Sequence, residues 1–270
     1  MAAMTSALTD YDDLPLRSGL RCAWNVWQPE GGDRFGCLNL LTADRAADAS
    51  RHVERGAVFP LNWSMGLPDP PLFGRAAFEH TVTGDDVSTS HDDVLDHWNT
   101  QSSSQWDGFR HIRHYAVLQD EPGTGHFGGV DDADHGIDHW ARRGIVGRGV
   151  LADIGRWRDA SGRPLRYDEP DAVMPDELLD CLADQGTAVD EGDVLLVGFG
   201  WIDWYIRQHA DKRAWLADRK QFRSAGFHPG EELCRVLWNL HIAAVACDNP
   251  GVEIWPRGSH LPAEARSEAL

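Results

Sequence analysis

The run Asn99-Thr100-Gln101-Ser102-Ser103-Ser104-Gln105-Trp106-Asp107-Gly108-Phe109-Arg110-His111 is the densest stretch of chemically able side chains in this 270-residue chain. Gln101 and Gln105 lie four apart, Asp107 follows two later, and His111 comes four after that. A carboxylate flanked by side-chain carbonyls supplies hard oxygen donors that can converge on a cation, and an imidazole beside them can move a proton. The same composition also describes a solvated loop, in which Trp106 and Phe109 anchor the chain to the core and Asp107 pairs with Arg110. Asp92, Asp93, His91 and His97 form a second acidic and imidazole cluster, but nothing in their spacing holds the donors at one point.

The elements that must position these side chains are read from period and punctuation. Thr42 can cap a helix running to about Arg55, with Gly56 as its stop. Ala57 to Trp63 reads as a short edge strand, because Pro60 cannot donate to a ladder. Phe73 to Thr100 is rich in Asp and His. Its Thr81-Val82-Thr83 alternation before Gly84 predicts a strand leading into surface loops. Ile137 to Arg143 predicts a short helix ended by Gly144, and Val150 to Ile154 is an apolar run broken by Asp153. Pro175 and Asp176 open a helix through Leu182 that stops at Gly186, and Val194 to Phe199 reads as a buried strand. Leu233, Val236, Leu237 and Leu240 share one face of a helix over Glu231 to Leu240, and Ile242 to Cys247 follows as a strand ending at Asp248. This alternation predicts an α/β fold with a partly parallel sheet. Carboxylates at the ends of such strands stand where open α/β sheets bind ligands.

Composition narrows the partners. With 25 Lys plus Arg against 43 Asp plus Glu the formal charge is −18, which argues against nucleic acid or a membrane surface. The longest apolar run, Val194 to Ile202, is too short to span a bilayer. Met1 to Asp10 shows no secretory signal, and Cys22, Cys37, Cys181, Cys234 and Cys247 form no Cys-x-x-Cys pair, so a reduced, cytoplasmic protein is expected. The 12 Trp and 13 His are numerous for one chain, and both types suit pockets that need a flat apolar face with a polar tip. No repeat or long linker divides the chain, so residues 1–20 read as an N-terminal extension and residues 21–270 as one domain.

The Gln101–His111 segment resembles the signature of the cyclase family of metal-dependent hydrolases, which includes kynurenine formamidase, isatin hydrolase and polyketide cyclases. That signature reads His-x-Gly-Thr-His-x-Asp-x-Pro-x-His. Aligned on its Asp, it places Gln101 and Gln105 at the first two His, Asp107 at the Asp and His111 at the last His. Further blocks follow in order. Trp24-Asn25 with Arg34 to Thr42 resembles the N-terminal block, Gly136 to Leu151 the middle block, and Ala246-Cys247-Asp248-Asn249-Pro250-Gly251-Val252-Glu253 a later strand and turn. The resemblance covers Trp24 to Pro256 and implies a swivelling β/β/α fold. It also implies hydrolysis or ring closure at an amide, lactam or ester carbonyl of a small aromatic compound.

By that resemblance Gln101, Gln105 and Asp107 would be metal ligands and His111 the acid or base; the structural alternative has His111 hydrogen-bonded beside Trp106. Amide carbonyls bind transition metals weakly, so a divalent cation, Mn²⁺ first, is expected to be held weakly or not at all. The family's C-terminal His-x-x-Leu-Leu helix and later Glu find no counterpart before Leu270, and His260 is not assigned a ligand role. Trp24, Trp27, Phe35, Trp63 and Trp106 could wall an aromatic pocket or pack in the core. The family generally pairs, which implies a homodimer. The alternative is a catalytically weak or metal-free relative that binds or orients a small aromatic, polyketide-like ligand.

Overall fold

The computed structural model describes residues 8–17, 19–23, 26–28, 32–85, 87–112 and 135–260. Near the start, β1 (Leu16–Arg17) and β2 (Leu20–Arg21) form a small antiparallel pair. Asp33, fully buried, accepts from the amides of Phe35 and Gly36 and from Asn39 Nδ2 at 3.0–3.1 Å, and so shapes the 3₁₀ turn Gly36–Leu40. Helix α1 (Ala43–Ser50) begins at Thr42, whose hydroxyl accepts from the Arg45 amide as a capping residue does.

This helix ends five residues before the expected Arg55. None of its residues is buried, so no packed apolar face sustains it. Residues 57–62 are exposed and join no sheet, so the expected edge strand does not form there. Pro60 and the lack of a neighbouring strand account for this. The strand expected at Thr81 exists as β3 (Glu79–Val82), and it pairs antiparallel with β4 (Asp93–Asp96), a strand that the acidic sequence concealed.

From Asp138 on, each element the sequence predicts is present, and the structure adds further short elements between them. Helix α2 (Asp138–Arg143) stops at Gly144, whose φ of +75° suits glycine, and β5 (Gly149–Ala152) follows. Asp153, the carboxylate in that apolar run, is a turn residue that caps α3 (Ile154–Ala160). The two-residue β6 (Ala172–Val173) leads into α4 (Pro175–Asp184), where Glu177 Oε2 accepts from the Met174 amide at 2.9 Å. The same carboxylate pairs with the buried Arg158 at 2.7 Å and ties α4 to α3. Strand β7 (Val194–Val197) is followed by α5 (Trp201–Ile206) and α6 (Ala210–Ala217), then by β8 (Gly226–Phe227), α7 (Glu231–Asn239) and β9 (Ala244–Cys247).

Strands β5, β7 and β9 form a parallel sheet with β7 central; Ala152, Val197 and Cys247 share one register position. A second parallel pair joins β6 to β8. The main core fills the space between these sheets and α3 and α4, with Ile154, Val173, Leu178, Leu195, Phe199 and Phe227 at 0% exposure. The fold is α/β with parallel and antiparallel sheets. Among the described residues no helix is long and apolar enough to cross a membrane.

Candidate active site

The signature loop is fastened from both ends. Ser103 donates to the Ser64 carbonyl at 2.8 Å, and Ser104 Oγ accepts from the Trp63 amide at 2.7 Å. Downstream, the Phe109 ring enters a slot beside Gly36, edge-on to Trp140 and His135 at 5.3 and 5.7 Å. A Cβ on Gly36 would lie 2.7 Å from that ring, so residue 36 must be glycine for the slot to exist. The His111 amide then donates to the Gly108 carbonyl at 3.1 Å, and this turn brings the imidazole back toward Asp107. His111 Nε2 stands 3.9 Å from Asp107 Oδ1, with both side chains partly open to solvent.

The two amides of the expected ligand set are engaged inside the loop. Gln101 Oε1 accepts from the Thr100 hydroxyl at 2.9 Å. Gln105 Nε2 points at Asp107 Oδ2 at 3.5 Å; with its amide turned, it donates instead to the Thr100 and Gln101 carbonyls at 3.3 and 3.1 Å. The expectation of a metal-binding protein, with manganese as the ion, is therefore corrected. Among the described residues no group of three or more His, Cys, Asp or Glu could hold a metal ion, and Asp107 is the one anionic donor of the set. The second cluster does not supply one either: His80 Nε2 takes Asp93 Oδ1 at 2.6 Å, and His91 Nδ1 is bound to the Thr83 carbonyl.

The aromatic residues expected to wall a pocket are dispersed. Trp63 packs edge-on against Tyr205 and Trp201 at 5.5 and 6.4 Å, within the cluster that includes Leu216 and Phe222. Trp27 rests on Trp238 at 5.9 Å, and Phe35 lies under the Arg143 guanidinium at 4.8 Å, in the N-terminal clusters. Trp106, half exposed, stays beside Asp107 in the loop. Trp24 and His114 lie outside the described residues.

Asp107 sits within electrostatic reach of Arg75 and of Cys247 at the C-terminal end of β9. Burial pushes the Cys247 thiol up to about 12, and the charges of Asp248 and Asp107 add to the effect, so this sulfur stays protonated. Arg75, stacked 5.0 Å over Phe73, is lowered by its own burial, while Asp107 pulls the other way. Sequence reasoning missed Arg75; its separation from Asp107 in the chain leaves no local signal.

Asp248, the carboxylate at the end of β9, accepts from the amides of Phe199 and Gly200 at 2.7 and 2.8 Å and so joins the ends of β9 and β7. Burial raises its pKa above 3.8, with those two amides opposing. The folded state thus holds this proton more tightly than the unfolded chain. The group's contribution to stability is complete below the unfolded value of 3.8 and is lost as pH rises through the folded value. Asp248→Asn is expected to gain stability relative to the parent as pH rises from about 4, followed by urea unfolding at a series of pH values. A pH-independent difference between the two would count against it.

The family model described as "Putative cyclase" matches residues 46–254, most of the chain, and the protein belongs to this cyclase family. A solved crystal structure described as a novel cyclase superposes with a TM-score of 0.71 at 24% sequence identity, over 87% of this chain and 79% of that one. At that identity the likeness is one of fold. Comparison with curated proteins returns no match.

Proposed function

We propose that this chain is a metal-free member of the cyclase family that binds and orients a small aromatic compound and moves a proton on it through His111. The observation that carries this reading is the loop that sets His111 against Asp107 while spending the two glutamine amides on its own hydrogen bonds. Asp107, where the family signature has a ligand, serves here as the charge that orients and stabilises the imidazolium. For an aromatic ester or anilide, His111 takes a proton from water, the hydroxide oxygen adds to the carbonyl carbon, and the imidazolium returns the proton to the departing oxygen or nitrogen. For ring closure, holding the reacting carbon near its carbonyl can itself lower the barrier by about 7–11 kcal/mol in favourable intramolecular cases.

Turnover of a panel of formanilides, lactams and aryl esters, followed by chromatography with and without EDTA, tests this. Activity that EDTA leaves unchanged is expected. Activity that appears only with added Mn²⁺ or Zn²⁺ overturns the metal-free reading, and no turnover at all reduces it to binding.

We also propose that the protein works as a homodimer. Val58, Phe59 and Leu61 are 89%, 77% and 73% exposed on the segment that joins no sheet, and exposed apolar patches of this kind mark interfaces. Sedimentation at micromolar concentration is expected to show a dimer that Phe59→Asp converts to monomer. A monomeric parent would count against pairing.

A further inference from the structure

In a chain with 43 Asp and Glu against 25 Lys and Arg, an arginine drawn partly out of solvent is expected to find a carboxylate. Arg75, partly buried, does not. Among the described residues its guanidinium makes no hydrogen bond and no ion pair; its contact is the face of Phe73, 5.0 Å from the ring centroid. That ring is itself locked. It stands edge-on to Phe222 at 5.0 Å and to Trp255 at 5.1 Å, and its backbone holds a φ of +62°, a left-handed conformation that a bulky residue keeps only where its surroundings impose it. The fold thus accepts backbone strain to seat an aromatic platform, and the platform carries a guanidinium whose N–H donors engage no acceptor among the described residues.

The surroundings are positive against the trend of the chain. From Arg207 to Arg223 six Lys and Arg stand against two Asp. Helix α6, within that segment, packs through Leu216 on the Leu72–Gly74 turn that precedes Arg75. Arg219, just beyond α6, lies within electrostatic reach of Arg75 and opposes its charge. Two guanidinium groups that repel, with no carboxylate bonded to either among the described residues, are relieved by an anion brought to them. Asp107 also reaches Arg75, but it stands closest to His111 and forms no ion pair with the arginine. Ala76 and Ala77, the next residues in the chain, line one recess with Asn99 and Ser102, so the segment of this cation borders the signature loop.

We infer that Arg75 is the carboxylate-recognising residue of the site, pairing through its planar fork with an anionic substituent of the aromatic compound and selecting acids over their neutral analogues. The inference rests on the proposed reading of the chain as a protein that binds small aromatics, and it adds a charge on the ligand that the signature loop does not explain. At a net charge of −18 the protein repels an anionic ligand at long range, so its capture requires a local cation of this kind.

Benzoate and benzamide, close in shape and different in charge, are the probes, titrated into the full-length protein by calorimetry at low salt. Benzoate is expected to bind saturably and about tenfold or more tightly than benzamide, the scale of a hydrogen-bonded pair between charged groups. Arg75→Gln should weaken benzoate about tenfold or more and leave benzamide unchanged, a loss of charge preference that a packing defect would not produce. Arg75→Lys should restore only part of it, because a point charge replaces the fork. Circular dichroism checks that the variants fold, and the comparison of probes in the parent needs no variant. Equal affinity for the two probes, or benzoate binding unchanged by Arg75→Gln, would overturn the assignment. Acetate binding as tightly as benzoate would overturn it too, by revealing a bare anion site. Aryl-ester turnover separates the two claims. Turnover with no preference for carboxylated over neutral esters removes the role of Arg75 and leaves the proposed function standing. Benzoate selectivity without turnover of any ester keeps Arg75 and removes the enzymatic reading.

Discussion

Replacing His111 with alanine is expected to lower turnover of an aryl ester or anilide by about 10²- to 10⁴-fold, the usual effect of losing a positioned acid or base. The expectation follows from geometry. The 108–111 turn returns the imidazole to 3.9 Å from Asp107, and the partial exposure of both side chains lets water and substrate reach them. Asp107→Asn keeps the shape of the loop but removes the charge that stabilises the imidazolium. It should therefore lower kcat with little change in KM, as expected for a group that acts through its neighbour in the transition state. His114→Ala, three residues on, should change turnover far less, since the signature assigns no proton transfer to that position. Should His111→Ala and the parent turn over substrate equally, the loop would be a structural turn and the proton would move elsewhere.

The largest effect on stability is expected at Phe227. Its ring is fully buried, edge-on to Phe199 at 5.2 Å; its own N–H and carbonyl bond to Val252 and Ile254, while the neighbouring Gly226 and His228 amides donate to Asp171 and Val173 on the β6 side. Phe227→Ala would open a cavity between the two parallel sheets and cost about 3–5 kcal/mol. Domains of this kind hold only about 5–15 kcal/mol in total, so the variant should unfold at a much lower urea concentration. Val87→Ala is the control. An apolar side chain trimmed at a site that is 86% exposed should shift stability by less than about 0.5 kcal/mol. Equal midpoints for the two variants would mean that the core does not lie where β6 and β8 meet.

The local elements were legible in the chain itself wherever a period and a stop residue coincided. Pro175 with Gly186, the apolar stripe of Leu233, Val236 and Leu237, and the β-branched run from Val194 each predicted an element that the structure contains within a few residues. The pairing of His111 with Asp107 was also within reach of sequence, because four residues of turn suffice to bring them together. What the amino-acid order could not decide was convergence. Whether Gln101 and Gln105 aim their oxygens at one point depends on Thr100, and on fastenings to Ser64 and Gly36 that lie tens of residues away. Whether Trp63 walls a pocket or fills a core depends on Trp201 and Tyr205, which are farther still. The β3–β4 hairpin hid for a related reason. Its strands are exposed on nearly every residue, so no buried face wrote an apolar alternation into the sequence, and only their mutual hydrogen bonds reveal them. Periodicity records which face of an element is buried, whereas a site requires several elements to meet, and that meeting is set by long-range packing that only the tertiary structure holds.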